Sequence, residues 1–202
     1  MNFATKGVLT LGFVASAAFS HAALNYSNIV AQITFDGTQT YNLNVSANGN
    51  SLDFSALNYP MYVASVNSLY TSAVVTITYD VTSDKGINGL DLIFTGMTLG
   101  NGTVDYTESV KDTGGNVLDS VSGTMSGNNS FIGQDTLSFS AQNAYSVEKT
   151  FTLGLGNQAA LAPGSPSFAS IGLIEQNAVP EPATLGAVGV GLVSLLARRR
   201  RK

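Results

Sequence analysis

The sequence predicts an all-β protein: a single β-sandwich, jelly-roll or immunoglobulin-like, held between an N-terminal export signal and a C-terminal apolar helix. Three observations predict it. Apolar and polar residues alternate through most of the interior, as they do along a half-buried strand. Turn pairs rich in Gly and Asn recur at short spacing. Helical periodicity is absent outside the two ends. Together these suggest about nine short strands in two packed layers.

From the N-terminus, Lys6 gives a positive start and residues 7–19 are apolar and uncharged. Small residues follow at Ser20 and Ala22, the two positions that signal peptidase reads, so cleavage is expected between Ala22 and Ala23. The strand candidates are 29–35, 41–45, 74–81, 90–99, 103–111, 117–121, 135–140, 145–155 and 168–174. In 74–81, Val75, Ile77, Tyr79 and Val81 share one face. In 145–155, Tyr145, Val147, Phe151, Leu153 and Leu155 share one face, with Lys149 as its exception. Asp36-Gly37, Asn48-Gly49, Asn88-Gly89, Asn101-Gly102 and Gly114-Gly115-Asn116 are turn signals. The last two bracket one strand, which predicts a three-stranded meander over residues 90–121. Residues 157–167, with Pro163 and Pro166, read as a loop, and 175–178 as a linker. The expected division is therefore 1–22 signal, 23–178 sandwich and 179–202 tail.

Composition excludes several functions. Between Ala23 and Ala178 stand three lysines (Lys85, Lys111 and Lys149) against twelve carboxylates, a net charge of −9. Such a domain repels polyanions, which argues against nucleic acid as a partner. The chain has no Cys, so it has neither a disulfide framework nor a thiol nucleophile. Its one His, His21, lies in the signal, which removes a Ser-His-Asp triad and a histidine zinc site from the mature domain.

Four weaker patterns have plain structural readings. Asp112-Thr113-Gly114 spells the aspartic-protease triplet, but that chemistry needs two carboxylates sharing a proton and no second triplet exists, so a hairpin turn is expected. Asp80, Asp84, Asn88 and Asp91 could offer oxygens to calcium, although their spacing is not that of a calcium loop. No other cofactor and no other metal site is expected. Tyr59, Tyr62 and Tyr70 could stack sugar rings, or equally cover a sheet edge. A glycosidase would need two facing carboxylates some ~5–10 Å apart, which twelve acids do not reveal from sequence alone.

The C-terminus is the most specific segment. Residues 184–197 are apolar and uncharged, and Arg198, Arg199, Arg200, Arg201 and Lys202 follow. As a helix the apolar run spans roughly 21 Å, short of a hydrocarbon core of ~30 Å. The cationic cluster holds that end in the cytoplasm by the positive-inside rule. Two prolines around Glu181 keep Val179-Pro180-Glu181-Pro182 extended. This order of motif, short helix and basic cluster resembles the PEP-CTERM sorting signal. The resemblance implies an exosortase substrate exported by a bacterium with an outer membrane, and the leading expectation for its domain is a non-catalytic one. An exosortase-type membrane protease would recognise Val179, Pro180, Glu181 and Pro182. The helix would hold the chain transiently in the inner membrane, before delivery to the cell surface or a biofilm matrix. Signal peptidase and exosortase are the implied partners, and extracellular polysaccharide is a further candidate. The alternative functions are a carbohydrate-binding module and, behind it, a small glycoside hydrolase.

Overall fold

The computed structural model describes residues 22–56, 61–66, 70–157 and 165–180. The expected signal helix and the apolar helix over 184–197 lie outside them. Among the described residues there is no helix, and so none long and apolar enough to cross a membrane.

Ten antiparallel strands form one hydrogen-bonded sheet: β1 (Leu24–Phe35), β2 (Gln39–Asn42), β3 (Asn44–Asn48), β4 (Ser51–Ser55), β5 (Tyr62–Ala64), β6 (Ser72–Leu99), β7 (Thr103–Lys111), β8 (Val117–Ser126), β9 (Asn129–Gly154) and β10 (Phe168–Pro180). The main path runs β3-β4-β10-β6-β9-β7-β8, with β1 on β6, β2 on β1 and β5 on β10.

Two very long strands organise the molecule. The first half of β6 pairs with β1 and the second half with β10, while β9 accompanies β6 along both halves. Their register shifts between Thr82 and Gly89, where both strands bend. Phe94 and Phe151 show how far the sheet folds over. Phe151 faces Val75 in the β6–β9 ladder, and Val75 lies roughly 60 Å from Phe94 along a straight strand at ~3.3 Å per residue. Yet the two rings meet edge to face, 5.1 Å apart. Likewise Phe54 of β4 lies 6.0 Å from Tyr79 of β6. The inner faces of the two halves therefore share one core, with Phe35, Phe54, Phe94, Phe151, Ile77 and Leu92 among its largest members.

Close approach at two glycines makes this packing possible. A Cβ on Gly133 would stand 2.2 Å from the Phe94 ring, and one on Gly123 would stand 2.5 Å from the Tyr106 hydroxyl. Each aromatic occupies the space that a side chain at the glycine would fill.

Several expectations change. Strands 74–81 and 90–99 are one strand, as are 135–140 and 145–155. Asn88-Gly89 makes no hairpin, because pairing with β9 and β10 on both sides of it keeps the chain extended. The meander over 90–121 reduces to its second hairpin, β7–β8, since β9 inserts between β6 and β7. The supposed linker 175–178 is the middle of β10, which continues to Pro180.

Candidate functional site

Both ends of the domain reach the same pole, on either side of the β6 bend. At one side Leu24 faces Ser83 at the start of β1. The backbone N–H of Ala23 donates to Asp84 Oδ1 at 2.7 Å, and Ala22 beside it is buried. At the other side Val179 faces Gly89 and Pro180 faces Ile87. The Ala178 N–H donates to the Asn50 carbonyl of the β3–β4 turn at 2.9 Å, and Ala178 is buried. Val179, next to it, is exposed. Of the expected sorting residues, Val179 and Pro180 are thus part of a ladder. Glu181, Pro182 and Arg198 to Lys202 lie outside the described residues.

The sequence-predicted tyrosines are engaged separately. The Tyr62 ring stacks on Phe168 at 5.4 Å and the Tyr70 ring on Phe35 at 4.4 Å, with the Tyr70 hydroxyl donating to Gln39 Oε1 at 2.5 Å. Tyr59 lies outside the described residues. Nor do the calcium candidates converge. Asp80 accepts from Asn28, Asp84 from Ala23, and Asp91 from Thr136. Among the described residues no group of three or more His, Cys, Asp or Glu could hold a metal. Asp112 caps the β7–β8 turn, accepting from the N–H groups of Gly114 and Asn116 at 2.8 and 2.9 Å. The Asn116 side chain and these N–H bonds hold its carboxyl below the ordinary range.

An open groove of about 410 Å³ crosses the outer face of β7, β8 and β9, lined by Thr107, Ser109, Ser120, Ser122, Glu148 and Thr150 among others. Beside it Lys111 and Glu148 form a partly exposed ion pair at 2.6 Å.

The inner face carries a polar cluster that the sequence showed only as an exception. Lys149 points into the core with no exposed side chain and is ion-paired to Glu108 Oε1, which is equally enclosed. Glu108 and Lys149 face each other directly in the β7–β9 ladder, and Ile77 flanks Lys149 on β6. Glu108 Oε2 and the hydroxyls of Tyr79 and Tyr145 are buried without hydrogen-bond partners. Burial pushes the Glu108 carboxyl up, opposed by the charge of Lys149, and pushes the Lys149 amine down, opposed by Glu108. Tyr79 and Tyr145 are raised by burial first and by the Glu108 charge among lesser causes. From the other layer, Asp135 accepts from the Tyr106 hydroxyl. The alternation of Val104, Tyr106, Glu108 and Val110 could have revealed Glu108 as inward-facing.

Against known proteins, residues 178–202 match the family profile described as the PEP-CTERM protein-sorting motif. No curated protein matches the chain. Several solved structures resemble the fold weakly. The enzymatically active domain of bacteriophage CBA120 tailspike protein 4 is 15% identical at a TM-score of 0.36, covering 79% of this chain. This chain spans only 20% of that one. The xylan-binding domain CBM22-1 of Paenibacillus barcinonensis Xyn10C is 8% identical at a TM-score of 0.31, covering 79% of this chain and 87% of its own. The family 11 carbohydrate-binding module from Clostridium thermocellum, in complex with a mixed-linked tetrasaccharide, is 9% identical at 0.30, covering 80% and 91%.

Proposed function

Taking the sorting motif at residues 178–202 as the premise, we propose that this chain is a non-catalytic exported protein that an exosortase processes on its way to the cell surface or extracellular matrix. The observation that carries the reading is the match of residues 178–202 to this motif. The structure adds its setting. The motif begins inside the last strand of the β-domain, so no spacer separates the folded body from Pro180. Export through a signal cleaved between Ala22 and Ala23 accounts for the other end. Signal peptidase would cut the emerging chain, after which Ala23 settles against Asp84. The exosortase would act beside a folded body whose last strand ends at Pro180, while the basic cluster from Arg198 to Lys202 stays on the cytoplasmic side.

Mass spectrometry of the secreted material tests this. The expected mature form starts at Ala23 and lacks Arg198 to Lys202. Recovery of a secreted form that keeps the basic cluster would overturn processing, and recovery from the cytosol beginning at Met1 would overturn export.

A second reading, binding of extracellular polysaccharide, draws on the groove of hydroxyl groups and Glu148 on the outer face. Titration of the exported domain with its host's polysaccharide would show Glu148→Ala weakening the interaction. Equal affinity in the variant would remove the groove from consideration.

A further inference from the structure

We propose that the side chains of Lys149 and Glu108 join as an intramolecular amide, a covalent cross-link between β9 and β7 inside the core. The proposal is independent of the sorting reading.

The geometry is that of two reactants already assembled. The residues are direct partners in the ladder, Nζ lies against Oε1, and neither side chain reaches solvent. Positioned groups of this kind react as if at concentrations of about 10⁵–10⁸ M. Their surroundings favour the neutral reactants. Val147, Phe151, Ile77 and Val110 wall the pair, and two ions enclosed by such residues carry a desolvation cost that their attraction repays poorly. A proton passing from ammonium to carboxylate leaves a free amine beside a carboxylic acid. The amine nitrogen then attacks Cδ of Glu108. The N–Cδ bond forms, the Cδ–Oε2 bond breaks, and Oε2 departs with two protons as water. Nothing is oxidised or reduced, and no co-reactant is needed.

Glu108 Oε2 is the atom that lacks a hydrogen-bond partner, so its departure breaks no interaction. The other titratable groups facing the pair are Asp135, Tyr79 and Tyr145. Asp135 is the carboxylate among them, hydrogen-bonded to Tyr106 two residues from Glu108; the amine proton passes within the pair itself, to the departing Oε2. The product is a neutral amide in an apolar core, in place of two enclosed charges.

Trypsin digestion of the exported protein, after denaturation, reads the bond directly. Cleavage sites within the domain are only Lys85, Lys111 and Lys149. The expected product joins the peptide 86–111 to a peptide that starts at residue 112 and runs through an uncleaved Lys149. Its mass is one water below the sum of the two, and fragmentation places the branch at Glu108. Separate peptides 86–111 and 112–149 at their linear masses would overturn the proposal, as would a branch at Asp105. Glu108→Leu should restore cleavage after Lys149. Persistence of the branched peptide in that variant would equally overturn the assignment. The wild-type map decides the matter even if this variant fails to fold.

Discussion

The phenol of Tyr106 on β7 donates to the carboxylate of Asp135 on the first half of β9, and this hydrogen bond ties one layer of the protein to the other. Burial above all, then this bond and the Asp135 charge, push the Tyr106 hydroxyl up to about 12. Tyr106→Phe keeps the ring over Gly123 but leaves the half-buried carboxylate without its donor. Hydrogen bonds to charged groups contribute about 1.5–3 kcal/mol, and a loss in that range is expected from urea denaturation. An unchanged midpoint would mean that the bond does not hold the layers together.

Gly133→Ala tests the folding-over of the sheet. The added methyl meets the Phe94 ring, which is fully buried and already packed on Phe151. Overpacking of this kind costs about 1–3 kcal/mol. The melting temperature should fall, and the paired change Gly133→Ala with Phe94→Leu should recover part of the loss.

Removing the Lys149 amine gives a pH signature. In Lys149→Met the Glu108 carboxyl remains enclosed, and the chief influence that lowers its pKa is gone. Its folded pKa then stands above the unfolded value of about 4.3. Stability is fully present below that value and is lost as pH rises through the folded pKa. Near neutral pH the loss should be of the order of 3–5 kcal/mol expected for a buried charge stripped of its partner. Urea midpoints at acid and neutral pH measure it, and a midpoint that rises with pH would contradict the burial.

Asp36 has the opposite sign. Its carboxylate accepts from the N–H groups and hydroxyls of Thr71 and Ser72, with the shortest bond at 2.8 Å from the Ser72 N–H. These bonds, the Ser72 N–H first, hold its pKa below the ordinary carboxylate range. Its contribution is present above the unfolded pKa and is lost as pH falls through the folded one. Asn tolerates the positive φ of 43° at this position. Asp36→Asn should therefore shrink the difference in stability between neutral and strongly acid solution. Parallel acid-unfolding curves for the two proteins would rule this out.

Truncation separates body from tail. A chain of residues 23–180 retains all ten strands and should unfold in one cooperative transition. A chain ending at residue 170 loses most of β10, which lies between β4 and β6, and should not fold. Circular dichroism on the two chains distinguishes them.

Period-two patterning made the strands and their inner faces legible, because side chains alternate whatever the topology. Val75, Ile77, Tyr79 and Val81 are all core residues, as that pattern required. The long-range pairings were not legible. Asn88-Gly89 has the local chemistry of a turn, and only the β9 and β10 ladders on either side override it. The same holds for Lys149, whose inward position was visible while its partner, 41 residues away, was not. The end of β10 was obscured for another reason. Val179-Pro180 reads as the start of a separate motif, although Pro180 at a strand terminus costs the ladder little.

The shared pole of Ala23 and Pro180 has a mechanical consequence. A domain whose ends lay at opposite poles could serve as a link, transmitting tension from one neighbour to the next. Here a pull on the two ends acts at one corner, and the rest of the body bears none of it. The turns at Asp36–Thr38 and Gly100–Asn101 then lie at the far end from Ala23 and Pro180. Such a domain is a pendant and not a segment of a thread, with its distal loops turned away from both points of attachment.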